Sequence, residues 1–384
     1  MRNRKGLCLL LAILLLAPSL AHARGDLALS FDSGDHILLL TAPQTGQVLF
    51  EQNAQKRVPI ASVTKIMTLI LAFEAIESGE VSLEDPVLVS KNAAATEGSQ
   101  AFLDAGSTYS LSDLIKTVII SSANDSCVAV AEYLAGSEPE FVLKMNERAR
   151  LLGMENTNFA TSTGLPYAGQ YSTARDVALM AQELLNHELY FDWSTIWMDT
   201  LVHPSGRETE LTNTNRLVRF FDGADGVKTG YSSEAGHCLA ATAVRNDLRL
   251  LAVVLGYENS KQRFNHAQKL LLDGFARYDL VTVTRSGETV EQTLPVRGGS
   301  SASVQLAADR SVYALADRFE SAGFEVIVRL PEAVDAPVEK GQCLGAITVL
   351  YEDGTVRTSP LCAAQAVRPN YLGYVKKLAG AWCG

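Results

Sequence analysis

The sequence predicts an α+β fold: an antiparallel sheet assembled from both ends of one long segment, a helical insert between them, and a small β-rich domain behind. Three observations carry this. Strand-like apolar runs at His36 to Leu40 and Gln47 to Glu51 precede a helical middle, and similar runs at Cys238 to Val244 and Arg249 to Leu255 follow it. Beyond Tyr278 the texture changes to short β-branched runs separated by turns. A chain of 384 residues also suits about two domains.

In chain order, Arg2, Arg4 and Lys5 precede the apolar run Leu7 to Ala17, and Ala21-His22-Ala23 follows. That is the layout of a secretory signal cut after Ala23, with a run too short for an ordinary transmembrane anchor. Removing residues 1–23 takes three positive charges and no negative ones, moving the formal charge from −10 to −13, so the mature protein is expected to be exported and acidic. Pro59 closes the segment after the first strand pair. Ser62 to about Ser78 then reads as helical, with Val63, Ile66, Met67, Ile70 and Phe73 at helical spacing and Gly79 as the stop.

Ser122-Ala123-Asn124 read alone is an N-cap for a helix through Val128 and Ala131. A further helix starts near Thr173, and one from about Lys261 to Arg277 ends the first domain. The second domain carries strands at Val281 to Thr284, Val290 to Val296, Ser303 to Leu306 and Glu325 to Leu330, then a hairpin around Asp353-Gly354. The expected divisions are a signal at 1–23, a first domain at 24–278, a β-rich domain at 279–366 and a tail at 367–384.

In that tail Tyr371, Tyr374, Val375, Leu378 and Trp382 share one helical face, and Gly373, Lys376, Lys377 and Gly380 share the other. An amphipathic, basic-backed aromatic segment suits a membrane interface, and the alternative is a helix packed on its own domain. The two glycines weaken the helix in water, which favours folding on lipid. Cys8 leaves with the signal, and the five remaining cysteines cannot all pair within one chain. Cys343 and Cys362 lie nearly equidistant from the Asp353 turn and could face each other, whereas Cys127 and Cys238 suit core positions.

The chemistry lies in three ordered motifs: Ser62-Val63-Thr64-Lys65, Ser122-Ala123-Asn124 and Lys228-Thr229-Gly230. Residues three apart share a helix face, so the Lys65 amine falls beside the Ser62 hydroxyl. An unperturbed lysine, with a pKa near ~10.4, is charged at neutral pH and cannot take the serine proton. Burial or a second ammonium must lower it, and Lys228 could be that second cation if the fold brings the third motif to the first. Each motif alone is bland. A Ser-x-x-Lys is expected about once by chance in a chain this long, and Lys-Thr-Gly is usually a turn. Their joint occurrence in this order points to an acyl-transfer site with a nucleophile, candidate bases and an anion-binding cation.

Other chemistries fit less well. The histidines after the leader, His36, His187, His203, His237 and His266, have no spacing typical of metal ligands, and Phe191 stands where a zinc-protease helix beginning at His187-Glu188 needs its second histidine. A phosphate loop at Lys228-Thr229 fails because Asp222 and Val227 occupy its glycine positions. No basic patch suggests nucleic acid. No metal and no cofactor are expected.

The chain resembles the low-molecular-weight penicillin-binding proteins that act as serine-type D-alanyl-D-alanine carboxypeptidases. Beyond the trio, the resemblance rests on Pro59-Ile60-Ala61, Ile66-Met67-Thr68, Asn124-Asp125, Thr163-Gly164-Leu165-Pro166, Tyr171-Ser172-Thr173-Ala174-Arg175-Asp176 and Gly226-Val227, and covers roughly residues 27 to 366. It implies a β-lactamase/DD-peptidase-like fold with an antiparallel sheet. It also implies Ser62 as the acylated nucleophile, Lys65 as its general base, and Ser122 with Asn124 as a proton-relay and substrate-orienting pair. Lys228, Thr229, the adjoining Gly230 and Arg263 would serve the substrate's terminal carboxylate, with the backbone N–H groups of Ser62 and Tyr231 as oxyanion hole. Tyr231 departs from the threonine or histidine of many members, which touches only side-chain contacts.

The implied partners are a peptidoglycan stem peptide ending in D-Ala-D-Ala, β-lactams as inhibitors, and a membrane surface reached through the tail. The implied location is the outer face of the cytoplasmic membrane. A class A β-lactamase shares the trio but needs a Glu-x-x-Leu-Asn loop, and here Gln182 takes the glutamate position in a run that looks like a helix end. A peptidoglycan-binding protein without turnover is the non-enzymatic alternative.

Overall fold

The structure, a computed structural model, describes residues 11–13, 34–320, 323–352 and 354–371. It contains two compact units: one spans Leu27–Ala276, and the other holds Arg277–Gly384 with the first 26 residues.

The first unit is built on a five-stranded sheet. Its strands are β1 (Ile37–Ala42), β2 (Gln47–Gln52), β3 (Ala224–Ser232), β4 (Gly236–Arg245) and β5 (Leu248–Tyr257), in the order β2-β1-β5-β4-β3 with every pairing antiparallel. The amino-terminal hairpin is thus zipped onto a strand more than two hundred residues later, as the apolar runs at both ends of the segment imply. Because successive side chains in a strand point to opposite faces, the uniformly buried β1 must be covered on both sides. Leu39, Leu251 and Val253 join the helical core on one face. On the other face lies helix Ser260–Arg277, and Gly274 lets it approach closely: a Cβ there would sit 2.6 Å from Leu250 Cδ1 and 2.9 Å from Leu40 Cδ2.

Between the sheet's halves, α1 (Lys65–Glu77) follows a short 3-10 turn at Ala61–Thr64, and with α2 (Leu111–Ile120), α3 (Asn124–Ala135), α4 (Glu138–Leu151) and α5 (Ala174–Leu184) it makes up the longer helices of the insert. Ser110, Ser137 and Thr173 cap α2, α4 and α5 by accepting from backbone N–H groups in the first turn.

The bland readings of two motifs taken alone do not hold here. The α3 cap residue is Ala123, with no side-chain cap bond, so Ser122-Ala123-Asn124 is not the N-cap motif it resembles. Lys228-Thr229-Gly230 is not a turn: it lies inside β3, an edge strand the apolar pattern did not reveal. Its sequence Ala-Asp-Gly-Val-Lys-Thr-Gly-Tyr-Ser carries two glycines and two charges, and its strand state comes from pairing with β4.

The second unit holds a seven-stranded sheet in the order Leu11–Ile13, Phe324–Arg329, Cys343–Tyr351, Val356–Ala363, Ser303–Ala308, Thr289–Arg297, Val334–Asp335. Tyr278–Thr284 pairs separately with Val312–Asp317, a strand not anticipated. Apart from residues 11–13 the expected signal lies outside the described residues, as does the tail beyond Tyr371. No helix among the described residues is long and apolar enough to cross a membrane.

Cys343 and Cys362 are direct cross-strand partners, yet both are free thiols. Burial, and then a hydrogen bond with Cys343, raise Cys362 to about 11, which slows exchange because the thiolate is the reactive form. Prolonged oxidation of residues 24–384 with oxidised glutathione should therefore remove two titratable thiols, and Cys343→Ser should abolish that difference. Equal thiol counts before and after oxidation would rule the disulfide out.

Candidate active site

Ser62 stands in the 3-10 turn and Lys65 opens α1, so the three-residue spacing brings the two side chains together as expected. Lys65 Nζ lies 2.9 Å from Ser62 Oγ, 2.6 Å from Asn124 Oδ1 and 2.7 Å from the Thr163 carbonyl oxygen. Those three acceptors match the three donors of an ammonium; in the neutral amine the lone pair replaces one donor and can accept the Ser62 hydroxyl proton. Lys65 is fully buried, and that burial lowers it from its ordinary value to about 8, with Cys127, Asp125 and Glu138 acting in the opposite direction.

The second motif enters from the start of α3. Asn124 accepts from Lys65 through Oδ1, donates from Nδ2 to the Glu97 carbonyl at 2.6 Å, and donates its backbone N–H to Ser99 O at 2.6 Å. Asp125 accepts from the backbone N–H groups of Ala101 and Leu103 at 2.9 and 3.0 Å. The first residues of α3 thus pin loop 96–104, and a side chain at Gly98 would meet Asn124 Nδ2 at 2.7 Å. Ser122 adopts a left-handed φ of 64°, and its buried Oγ has no hydrogen-bond partner among the described residues. Both features cost stability in an L-residue, the pattern of a group retained for chemistry rather than for folding.

The third motif arrives on the edge strand. A Cβ at Gly230 would lie 2.6 Å from Ile60 O and 3.1 Å from Ser62 N, so only glycine lets β3 come this close to the turn that carries Ser62. Lys228 is buried and driven well below its ordinary value, first by burial and then by the charges of Lys65 and Arg263. The second cation expected near Lys65 is present, although burial is the largest influence on both amines. Thr229 Oγ1 donates to Thr214 Oγ1 at 2.8 Å. Tyr231 is exposed and stacks on its register partner His237, with ring centroids 4.3 Å apart.

Arg263 is buried rather than an exposed helix arginine: Nη1 donates to the Gly230 and Cys238 carbonyls at 2.9 and 3.0 Å, clamping the register pair that joins β3 to β4. Burial lowers it to about 10.

Sequence reasoning missed two contributors. The Thr163 carbonyl completes the Lys65 cage, and Gly164 fits against the Ala61 carbonyl with 2.0 Å to the position of a Cβ. Thr163-Gly164-Leu165-Pro166 supports the resemblance, but a main-chain acceptor leaves no residue-type signature. Gln182 and Glu183 are both inside α5; Gln182 donates to Pro43 O and Glu183 accepts from Arg148, so that run is structural.

Similarity to known proteins identifies the family. Residues 28–259 match the D-alanyl-D-alanine carboxypeptidase family and residues 278–369 match the penicillin-binding protein 5 C-terminal domain. The chain is similar to D-alanyl-D-alanine carboxypeptidase DacF of Bacillus subtilis, with 37% identity over 90% of this chain and 89% of the relative. It is similar also to D-alanyl-D-alanine carboxypeptidase DacC of Escherichia coli, with 36% identity over 84% and 82%. Among solved structures, penicillin binding protein 5 of Haemophilus influenzae superposes with a TM-score of 0.73 at 29% identity, covering 86% of this chain and 97% of that one. Ampicillin-bound penicillin-binding protein D2 of Listeria monocytogenes gives a TM-score of 0.53 at 31% identity, covering 62% and 96%. A serine and a buried, partly neutralised lysine on one helix start, caged by Asn124 and faced by a second buried lysine, are thus found in a chain that belongs to the D-alanyl-D-alanine carboxypeptidase family.

Proposed function

We propose that this protein is a serine DD-carboxypeptidase that removes the terminal D-alanine of peptidoglycan stem peptides through an acyl-enzyme on Ser62. The observation that carries the reading is the Lys65 cage: an amine held 2.9 Å from Ser62 Oγ and lowered to about 8 by burial is a competent base at neutral pH. Neutral Lys65 takes the Ser62 proton as Oγ attacks the carbonyl of the penultimate D-alanine. The backbone N–H groups of Ser62 and Tyr231 receive the oxyanion. Ser122, whose hydroxyl has no competing partner among the described residues, passes the proton to the departing amine. The substrate carboxylate binds at Lys228 and Thr229, and its charge restores the ammonium form that burial disfavours. Arg263 contributes by fixing the strand and adding positive potential.

Water then resolves the ester, so the net reaction consumes one water and releases D-alanine. β-Lactams, one of which, ampicillin, is bound in the Listeria neighbour, enter the same acylation and depart slowly. The substrate places the protein outside the cytoplasm, and the basic aromatic tail attaches it to the membrane surface.

The test is D-alanine release from a pentapeptide ending in D-Ala-D-Ala by purified residues 24–384, with and without saturating benzylpenicillin, alongside fluorescent penicillin labelling. Release blocked by penicillin is expected. Labelling without release would replace carboxypeptidase by transpeptidase or binding protein, fast penicillin turnover would indicate a β-lactamase, and neither from folded protein would sink the assignment.

A further inference from the structure

On the opposite end of α1 from the catalytic pair, three side chains come together that the acyl-transfer chemistry does not use. Glu74 of α1, Glu183 of α5 and His187, just after α5, place one ligand-capable atom each within 4.8 Å of one another. Glu74 is nine residues past Lys65, or about 13 Å along the helix, so the cluster is separate from Ser62.

The histidine shows what the cluster suits. His187 is 4% exposed; its Nδ1 lies 2.8 Å from Glu77 Oε1, and its Nε2 is buried with no hydrogen-bond partner. A ring nitrogen bonded to a carboxylate, with the opposite nitrogen left bare, is the arrangement that fixes the tautomer of a metal-bound histidine. The Phe73 ring stacks on His187 at 5.7 Å and holds it in place.

Arg148 already bridges the two carboxylates, its Nε 2.6 Å from Glu74 Oε1 and its Nη2 2.5 Å from Glu183 Oε1, and Asn186 Nδ2 donates to Glu183 Oε2 at 3.1 Å. A carboxylate oxygen that accepts one hydrogen bond keeps a lone pair. Glu74, Glu77 and Glu183 carry three negative charges against the single charge of Arg148, so a divalent cation would bring the group to neutrality. One imidazole with carboxylates suits zinc or its neighbours rather than calcium or magnesium, which prefer oxygen alone.

We propose that Glu74, Glu183 and His187 bind a zinc-class divalent cation, with water as a fourth ligand, tying α1 to α5 at the far end from the nucleophile. The site is independent of the carboxypeptidase reading.

The probe is zinc chloride titrated into chelator-treated residues 24–384 by calorimetry, with thiols alkylated beforehand so that no cysteine competes. One zinc per chain at micromolar affinity is expected, with a raised Tm. Cobalt in its place should show visible absorption bands. His187→Gln keeps a side chain of similar reach and should weaken binding at least tenfold, as should Glu183→Gln, whose fold is checked by circular dichroism. No binding below 100 μM zinc, or unchanged affinity in both variants, would overturn the site.

Discussion

Replacing Lys65 by alanine should slow acylation of Ser62 by benzylpenicillin by about 10²- to 10⁴-fold, the range that a positioned general base contributes. The unaltered protein should show the matching pH profile. Because burial lowers Lys65 to about 8, the neutral, proton-accepting fraction rises about tenfold per pH unit below 8 and levels off above it. Acylation rate should therefore climb from pH 6 to about pH 8 and then flatten, and the climb should vanish in the alanine variant. Lys228 works in the opposite sense: it must be charged to hold a carboxylate, and burial drives it well below its ordinary value, so affinity for substrates and β-lactams carrying that group should fall as pH rises. The fold should survive Lys65→Ala, since the lost hydrogen bonds to Asn124 and Thr163 are offset by removing an amine that is costly to bury and is repelled by Lys228. Stopped-flow quenching with a labelled penicillin measures the rate, and circular dichroism checks the fold. A variant that acylates within fivefold of the original at pH 7 would remove Lys65 from the base role.

How much of this was legible in the sequence depends on where each feature's energy resides. Ser62 and Lys65 could be paired because three-residue spacing on a helix start is a local geometry. The inner strands β1, β4 and β5 could be found because a strand buried on both faces is nearly all apolar, and the edge strand β2 because Val48, Leu49 and Phe50 form a short apolar run. Strand β3 could not, because a segment with Gly226, Lys228 and Gly230 has little intrinsic preference for extended structure and takes it from β4. The same glycine that hides the strand is required by the close approach to Ile60 and Ser62.

Ser122 taken alone is ambiguous for a related reason. Serine before a helix is chemically a cap, and only its left-handed backbone and orphan hydroxyl distinguish it from one. Nothing in the local sequence marks Arg263 as buried; its bonds to the Gly230 and Cys238 carbonyls make it a buried part of the β3–β4 junction.

Gly164→Ala should be the most damaging single methyl in the first unit. Gly164 has a φ of +81°, and its Cβ position lies 2.0 Å from the Ala61 carbonyl oxygen, 2.5 Å from the Ala61 carbonyl carbon and 2.8 Å from Thr64 Oγ1. Backbone cannot yield as a flexible side chain would, so the chain around Thr163 must move away from the turn that carries Ser62. That movement takes the Thr163 carbonyl from Lys65, so stability and activity should fall together. Gly169→Ala supplies the comparison, because Gly169 has a φ of +83° but nothing within 4 Å of its Cβ position. Left-handed strain alone costs about 1–2 kcal/mol, and this is all Gly169→Ala should lose. Gly164→Ala should lose at least about 4 kcal/mol, a Tm drop of roughly 10 °C or more for a unit of this size, with acylation reduced at least about a hundredfold. Urea unfolding of the two variants separates the terms. Equal losses at the two positions would mean that the contact between Gly164 and Ala61 is not what holds the nucleophile's turn against the Lys65 cage.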